Sequence, residues 1–463
     1  MKILFVRPKP SPETIGLQHV MVVEPLELEV LAALVSPEDD PVILDMILEE
    51  KPFEHYLCRE APQVVCVTGY ITHVGTMIEY CRTAKRWNPA VTTILGGVHC
   101  EVCPDHLDDE SVDFRVVRNA VRVFPEILAH LRSGRQLPAG VLSRGESLDR
   151  SALPRFDFTF PLPDRSLAAR YRHRYFYIFH EPVALIKTAF GCPYKCNFCF
   201  CRAIVSGRYH GRPLEHVIAE LREIREKEIY IVDDDFLVGR ERLERFIEEN
   251  RRCGLEKSYL IYGRADFVAA NPDLMARFKE VGLRTVIVGF ESFFEDELQS
   301  YAKGTDVAAN REAMAVMRTH GIDCYATVII PPHWTRHHFR HCRSVMKQLG
   351  IHYVNLQPLT PLPGTGFEVP DEDLVIDRQD YPKWDLAHVA LRPRHLSVRE
   401  FYLWIIRLYN ALLFRPAVLW GYIRKYRRAQ LWKMLLGTLR VRNQYSARIR
   451  EASPRLAEMR GHA

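Results

Sequence analysis

Short runs of aliphatic and β-branched residues recur along the first 140 positions, with amphipathic stretches between them. Lys2-Ile-Leu-Phe-Val6, Val42-Ile-Leu-Asp45, Val64-Val-Cys-Val-Thr68 and Thr93-Ile-Leu-Gly-Gly97 have the length and composition of buried strands. Helical periodicity fills 24–34 and 74–87. Strands alternating with helices predict a Rossmann-like parallel α/β sheet over residues 1–140. The pattern lapses over 141–164, which is rich in Pro, Arg and Asp and reads as a linker. It resumes over 165–375, with strands expected at 183–190, 228–232, 259–262, 285–289, 324–330 and 353–357. Helices are expected between them, at 216–225, 240–249 and 310–320 among others. Six such units match a partial (β/α)6 barrel, whose active residues lie at the carboxyl ends of the strands. The remainder, 376–463, is helical, with patterns at 398–413 and 417–436.

Composition adds less than patterning. A chain of 463 residues suggests two or three domains, and 47% hydrophobic with 26% charged residues is an ordinary globular balance. The N-terminal apolar run is too short for a signal peptide, and no run of about 18 apolar residues exists to span a membrane. Twelve cysteines without a secretion signal fit a reducing compartment, so a cytoplasmic location is expected. Charge is informative only where it is uneven. Residues 401–450 hold 11 Lys and Arg and no acidic residue, while the rest of the chain holds 52 basic and 58 acidic residues. In that segment Tyr402, Trp404, Trp420, Tyr422, Tyr426 and Trp432 are interleaved with Arg424, Lys425, Arg427 and Arg428. This suits peripheral contact with an anionic membrane, or equally a helical cap with a solvated basic face. No recognition module for nucleic acid is present, and none is expected as a partner.

The sharpest chemical signal is Gly191-Cys-Pro-Tyr-Lys-Cys-Asn-Phe-Cys199. Cys192, Cys196 and Cys199 stand in a C-x3-C-x2-C spacing after the first strand of the second region. A structural zinc site prefers four ligands in two paired spacings, and this loop holds three at unequal ones. Three thiolates can hold three irons of a [4Fe–4S] cube and leave the fourth open to a substrate or cofactor. With Phe198 before the last cysteine, the loop resembles the signature of radical S-adenosylmethionine enzymes. That resemblance implies that the open iron chelates the amino and carboxylate groups of S-adenosylmethionine. It further implies that Asp233, Asp234 and Asp235 accept from the amino nitrogen, that Arg264 pairs with the carboxylate, that Glu291 accepts from the ribose hydroxyls and that Phe198 lies against the adenine. The aspartates could instead cap the helix starting near Arg240.

The first region carries Glu24-Pro-Leu26, Leu31-Ala-Ala33, Leu44-Asp45, the loop Thr68-Gly69-Tyr70, and Leu95-Gly96-Gly97-Val-His99. Together they resemble the cobalamin-binding domain that precedes many radical S-adenosylmethionine enzymes, and imply cobalamin binding at Thr68, Gly69, Tyr70, Gly96 and Gly97. Two features depart from it. No D-x-H-x-x-G motif marks a histidine for cobalt, as in many of this class, and Arg118-Asn-Ala-Val121 replaces an acidic Gly-rich turn. His73 and His99 are the histidines near enough in sequence to matter. The stretch from Trp384 to Pro393, with Leu396-Ser-Val-Arg-Glu-Phe-Tyr402, resembles hopanoid C-3 methylases. The resemblances imply an enzyme that cleaves S-adenosylmethionine at the cluster and transfers a methyl group through cobalamin to an unactivated carbon of an apolar substrate, with a hopanoid-like polycyclic lipid as the candidate. A reductase or flavodoxin-type donor would supply the electron. The alternatives are radical cyclisation, oxidation or rearrangement without net methyl transfer, and a non-catalytic cobalamin-binding regulator.

Overall fold

The protein is described by a computed structural model over residues 1–452. The first sheet consists of β1 (Lys2–Arg7), β2 (Asp40–Asp45), β3 (Val64–Thr68), β4 (Thr92–Gly96), β5 (Phe114–Val116) and β6 (Val141–Ser143), in the order β2-β1-β3-β4-β5-β6. All neighbours are parallel except β5 and β6. Alternate residues of β1 serve two cores: Leu4 and Val6 face one, Ile3 and Phe5 the other. Burial on both faces is why these strands read as unbroken apolar runs.

The second sheet is β7 (Val183–Ile186), β8 (Glu228–Ile231), β9 (Ser258–Gly263), β10 (Leu283–Glu291), β11 (Asp323–Ile330) and β12 (Tyr353–Pro358). It is wholly parallel and in sequence order, with β7 and β12 at its open edges. Its outer face packs under helices, while Val183, Leu185, Tyr230, Leu260, Ile287, Tyr325 and Tyr353 fill the concave side. The expected partial (β/α)6 barrel is present.

The relevant helices are α1 (Leu26–Ala32), α2 (Val74–Trp87), α3 (Val98–Val102), α4 (Cys201–Ile204), α5 (Val398–Leu413), α6 (Pro416–Lys425) and α7 (Arg428–Glu451). Buried Glu24 joins the two sheets: it accepts from the backbone N–H of Leu185 on β7 and pairs with Arg172 at 2.6 Å. Three expectations change. The strand expected at 183–190 stops at Ile186, and Ala189–Phe190 turns away to pair with His210–Gly211. The expected linker begins with edge strand β6. The helix expected at 417–436 is two helices, broken at Tyr426, whose hydroxyl is tied to that of Tyr353 at 2.7 Å.

Candidate active site

The cysteine loop leaves the carboxyl end of β7 through Gly191. Its φ is +74°, and a Cβ there would lie 2.0 Å from the carbonyl oxygen of Arg208, so only glycine fits. Cys192, Cys196 and Cys199 are half-buried free thiols. The loop is tied down on two sides: Asn197 donates its backbone N–H to Tyr301 and its side-chain amide to Ser300, and accepts from Gly366 N–H at 2.7 Å. Burial pushes the Cys192 thiol up to about 12 and raises Cys196, with Lys303 and Arg264 opposing the latter. A hydrogen bond from Cys201 draws Cys199 down. Buried thiols with raised values become thiolates only beside a strong positive charge, which a cluster's irons supply. The donor set therefore fits [4Fe–4S], one thiolate per iron, and Cys201 stands next to it rather than apart.

The other predicted residues divide on inspection. Asp233 is buried, and its oxygens accept from the N–H of Thr188 at 2.6 Å, the N–H of Ala189 at 2.9 Å and the Thr188 hydroxyl. It anchors the chain leaving β7, with three donors already bound to its carboxylate. Asp235 accepts from Leu237 N–H through one oxygen, while the other is buried without a partner among the described residues. Burial pushes it up to about 7. Asp234 is half-buried and near Cys201. None of the three caps the helix at Arg240, where Gly239 holds the cap position without a side-chain bond.

Arg264 does not present a free fork. It grips Asp266 through Nε at 2.9 Å and Nη2 at 2.8 Å, donates to the Lys303 carbonyl, stacks 3.9 Å over Tyr194, and leaves Nη1 4.0 Å from the Cys196 sulfur. It braces the cysteine loop. Glu291 ends β10 with φ +61° and pairs with Lys303 at 3.0 Å in a buried ion pair. Phe198 meets the Tyr301 ring edge-on at 5.7 Å, with Lys303 5.8 Å from its face. Lys303, Tyr301, Tyr194 and Asn197 were not expected from sequence. The hydroxyl of Tyr301 and Oδ1 of Asn197 are buried and unpartnered among the described residues. Orphaned polar groups around one loop fit a polar ligand such as S-adenosylmethionine.

Across from this loop lie the carboxyl ends of β3 and β4. Gly97, at φ +95°, presses against the other loop: a Cβ would lie 2.6 Å from Thr68 Oγ1 and 3.0 Å from Gly69 N. A Cβ on Gly96 would meet nothing closer than 3.9 Å, so the sheet edge there is open to a flat ligand. Tyr70 is 58% accessible, yet Glu27, Tyr262 and Cys201 are close enough to act on its hydroxyl. Both facts hold if the ring projects into a wet crevice walled by the two domains. Helices α3 and α4 meet beside it, and Gly364 lies against Val102 and Ala203 from both. Glu101 on α3 is pushed up to about 7 by burial in the same wall. The open glycine edge and this crevice fit cobalamin.

His73 and His99 are both lowered to about 4, mainly by burial, and are neutral. His73 bonds Thr72, and His99 bonds His106 at 3.1 Å. Both are hydrogen-bonded, His73 in the turn after β3 and His99 within α3. The replaced turn also has a use: Arg118 stacks 3.9 Å over Phe156 and donates to Pro154, while Asn119 holds Arg155 and Asp157. It clamps the linker segment Leu153-Pro-Arg-Phe-Asp157. Cys100 and Cys103 form a second C-x2-C spacing, in α3 and just after it. Cys100 is buried and donates to the Leu95 carbonyl, so it packs as a small apolar side chain.

Comparison with known proteins matches both domains of the chain. The Radical SAM superfamily model matches residues 186–344, and the B12 binding domain model matches residues 14–128. The chain is 29% identical to a hopanoid C-3 methylase of Methylococcus capsulatus, over 87% of this chain and 78% of that one. It is 25% identical to an uncharacterized methyltransferase of Pyrococcus horikoshii, over 95% and 98%. It is also 24% identical to an anaerobic magnesium-protoporphyrin IX monomethyl ester cyclase of Synechocystis, over 57% and 54%. The fold resembles the cobalamin-dependent S-adenosylmethionine radical enzyme OxsB, solved with aqua-cobalamin and S-adenosylmethionine bound. The TM-score is 0.61 at 13% identity, covering 90% of this chain and 58% of that one. The chain thus carries a B12-binding domain followed by a radical SAM domain, and the cofactors of these domains are a [4Fe–4S] cluster, S-adenosylmethionine and cobalamin.

Proposed function

We propose that this enzyme is a C-methyltransferase acting on an unactivated carbon of an apolar, hopanoid-like lipid substrate. The observation that carries the reading is the packing of the first domain against the cysteine loop, where α3 meets α4 directly after Cys199 and Gly364 lies against Val102 and Ala203. The three cofactors supply reductive cleavage of S-adenosylmethionine, hydrogen abstraction and methyl delivery when bound. The chain's own contribution is placement. Cys192, Cys196 and Cys199 hold the cluster, and Arg264 and Asn197 fix their loop. Asp235 and the Glu291–Lys303 pair flank the polar ligand. Tyr70, Gly96 and Gly97 hold the flat one. A reductase or flavodoxin-type donor delivers the electron, and the enzyme works from the cytoplasm, in peripheral contact with membrane.

Anaerobic reconstitution tests this. Release of 5′-deoxyadenosine together with transfer of isotope from the methyl group of S-adenosylmethionine into the lipid supports it. Turnover with 5′-deoxyadenosine but no label in the product assigns the chain to cyclisation, oxidation or rearrangement instead, a reading favoured by its similarity to the cyclase. Bound cobalamin without 5′-deoxyadenosine under reduction would make it a regulator.

A further inference from the structure

The basic C-terminal segment does two separate jobs. Helix α5 is the cap: Phe401, Tyr402, Ile405, Leu408 and Leu412 are buried against the barrel. Helices α6 and α7 are different. Eight of the eleven large hydrophobic side chains exposed among the described residues lie between 414 and 439. On α7, Trp432, Leu435, Leu436 and Leu439 follow one another at helical spacing and point outward, with Trp432 64% accessible. The opposite face of α7, through Met434, Gly437, Val441 and Tyr445, packs inward. A helix apolar on both faces is ordinarily buried all round, and this one is half in water. On α6, Leu419, Trp420 and Ile423 form a similar outward ridge, and no residue of that helix is buried.

Charge decides what covers this face. Arg424, Arg427, Arg428, Arg440 and Arg442 are exposed and make no ion pair among the described residues. No acidic residue lies between 401 and 450. A second copy of the chain seated here would bring like charges together with nothing to pair them. An anionic lipid surface offers negative headgroups beside an apolar interior, and Trp side chains favour that boundary.

We infer that α6 and α7 form a peripheral docking face for an anionic phospholipid membrane. The inference rests on this exposed face and deepens the membrane contact proposed above. The face is at the far end of the barrel from the cysteines. Lys425 pairs with Asp323 at the start of β11, Tyr426 with Tyr353 at the start of β12, and Lys433 with Glu181 just before β7. These are the amino ends of the strands, and the cluster loop leaves the carboxyl end. The face therefore tethers the enzyme and does not open the crevice onto the bilayer.

Flotation of the purified chain with vesicles tests it without cofactors. Binding to phosphatidylcholine vesicles containing phosphatidylglycerol, little binding to pure phosphatidylcholine, and loss of binding in high salt are expected. The R424Q/R427Q/R428Q variant should bind the anionic vesicles roughly a hundredfold more weakly. The W420S/W432S variant should also lose binding, with its thermal unfolding curve kept. Failure to bind anionic vesicles, or binding indifferent to both variants, overturns the proposal. So does a dimer in solution that W420S/W432S dissolves, since the occupant is then a second copy. Release of 5′-deoxyadenosine by reconstituted enzyme should be unchanged in both variants. Vesicle binding and methyl transfer can therefore fail independently.

Discussion

The two ends of the barrel are built on opposite principles. At the amino end the buried charge network around Glu228 is answered in full. His180 bonds Glu228 at 2.6 Å and Thr285 at 3.0 Å, and Glu228 also takes Arg284 at 3.0 Å and the Ser258 hydroxyl at 2.9 Å. At the carboxyl end Asp235, Tyr301 and Asn197 keep buried polar atoms without partners, and Glu291 sits at a positive φ. Both ends are buried and polar, so burial alone does not separate them. Satisfaction does: a complete network rigidifies, while unpaired groups and strain held by the surrounding fold are kept where a ligand will complete them.

The largest effect should come from removing the ligands of the carboxyl end. Replacement of Cys192, Cys196 and Cys199 by Ala should abolish the cluster's visible absorbance and all 5′-deoxyadenosine release, with the fold retained by circular dichroism. Retained turnover would end the contrast at once. The amino end should respond in the other currency. Glu228→Ala strands His180 and Arg284 and should cost about 3–5 kcal/mol in denaturant unfolding, with iron content per folded chain unchanged. Burial opposes the charge on Glu228, but His180 and Arg284 outweigh it and hold the carboxyl below its usual value. A lowered folded value means stability that is complete above the ordinary carboxylate range and is lost as pH falls through the folded value. Unfolding free energy should therefore fall with acidification more steeply in the wild type than in Glu228→Ala.

Legibility in the sequence follows the range of the interactions involved. Helices 74–87 and 398–413 are legible to the residue, because an amphipathic stripe is a local signal. Strand β6 is three residues long and shows no period. The early end of β7 is set by Asp233, 45 residues away, binding Thr188. The break at Tyr426 depends on Tyr353, 73 residues away. The site divides in the same way. A cysteine spacing is compact and chemical, so it can be read directly. Three adjacent aspartates look alike on paper, and only the alternation of the folded chain separates anchoring Asp233 and half-satisfied Asp235 from half-buried Asp234 beside Cys201. Lys303 carries no motif, and nothing short of the fold places it against Glu291.

Smaller changes sharpen the contrast within the carboxyl end. Gly191→Ala puts a Cβ at φ +74° against the Arg208 carbonyl, and the backbone must move to admit it. A cost of about 1–3 kcal/mol is expected, together with slower iron uptake during reconstitution, because the loop starts at that residue. A variant with normal uptake would show that the loop's entry does not set the cysteine geometry.

The mildest change bears on the crevice itself. Tyr70→Ala removes a ring that is already 58% accessible, so its unfolding free energy should shift by less than about 0.5 kcal/mol. If the ring projects into the crevice to meet the flat cofactor, corrinoid retained after gel filtration should fall while cluster absorbance stays level. Stability and occupancy would then move independently, as they must where a side chain is held in water for a ligand. Equal retention of corrinoid by the variant would place Tyr70 among ordinary surface residues and move the boundary of the unsatisfied end back to the cysteine loop.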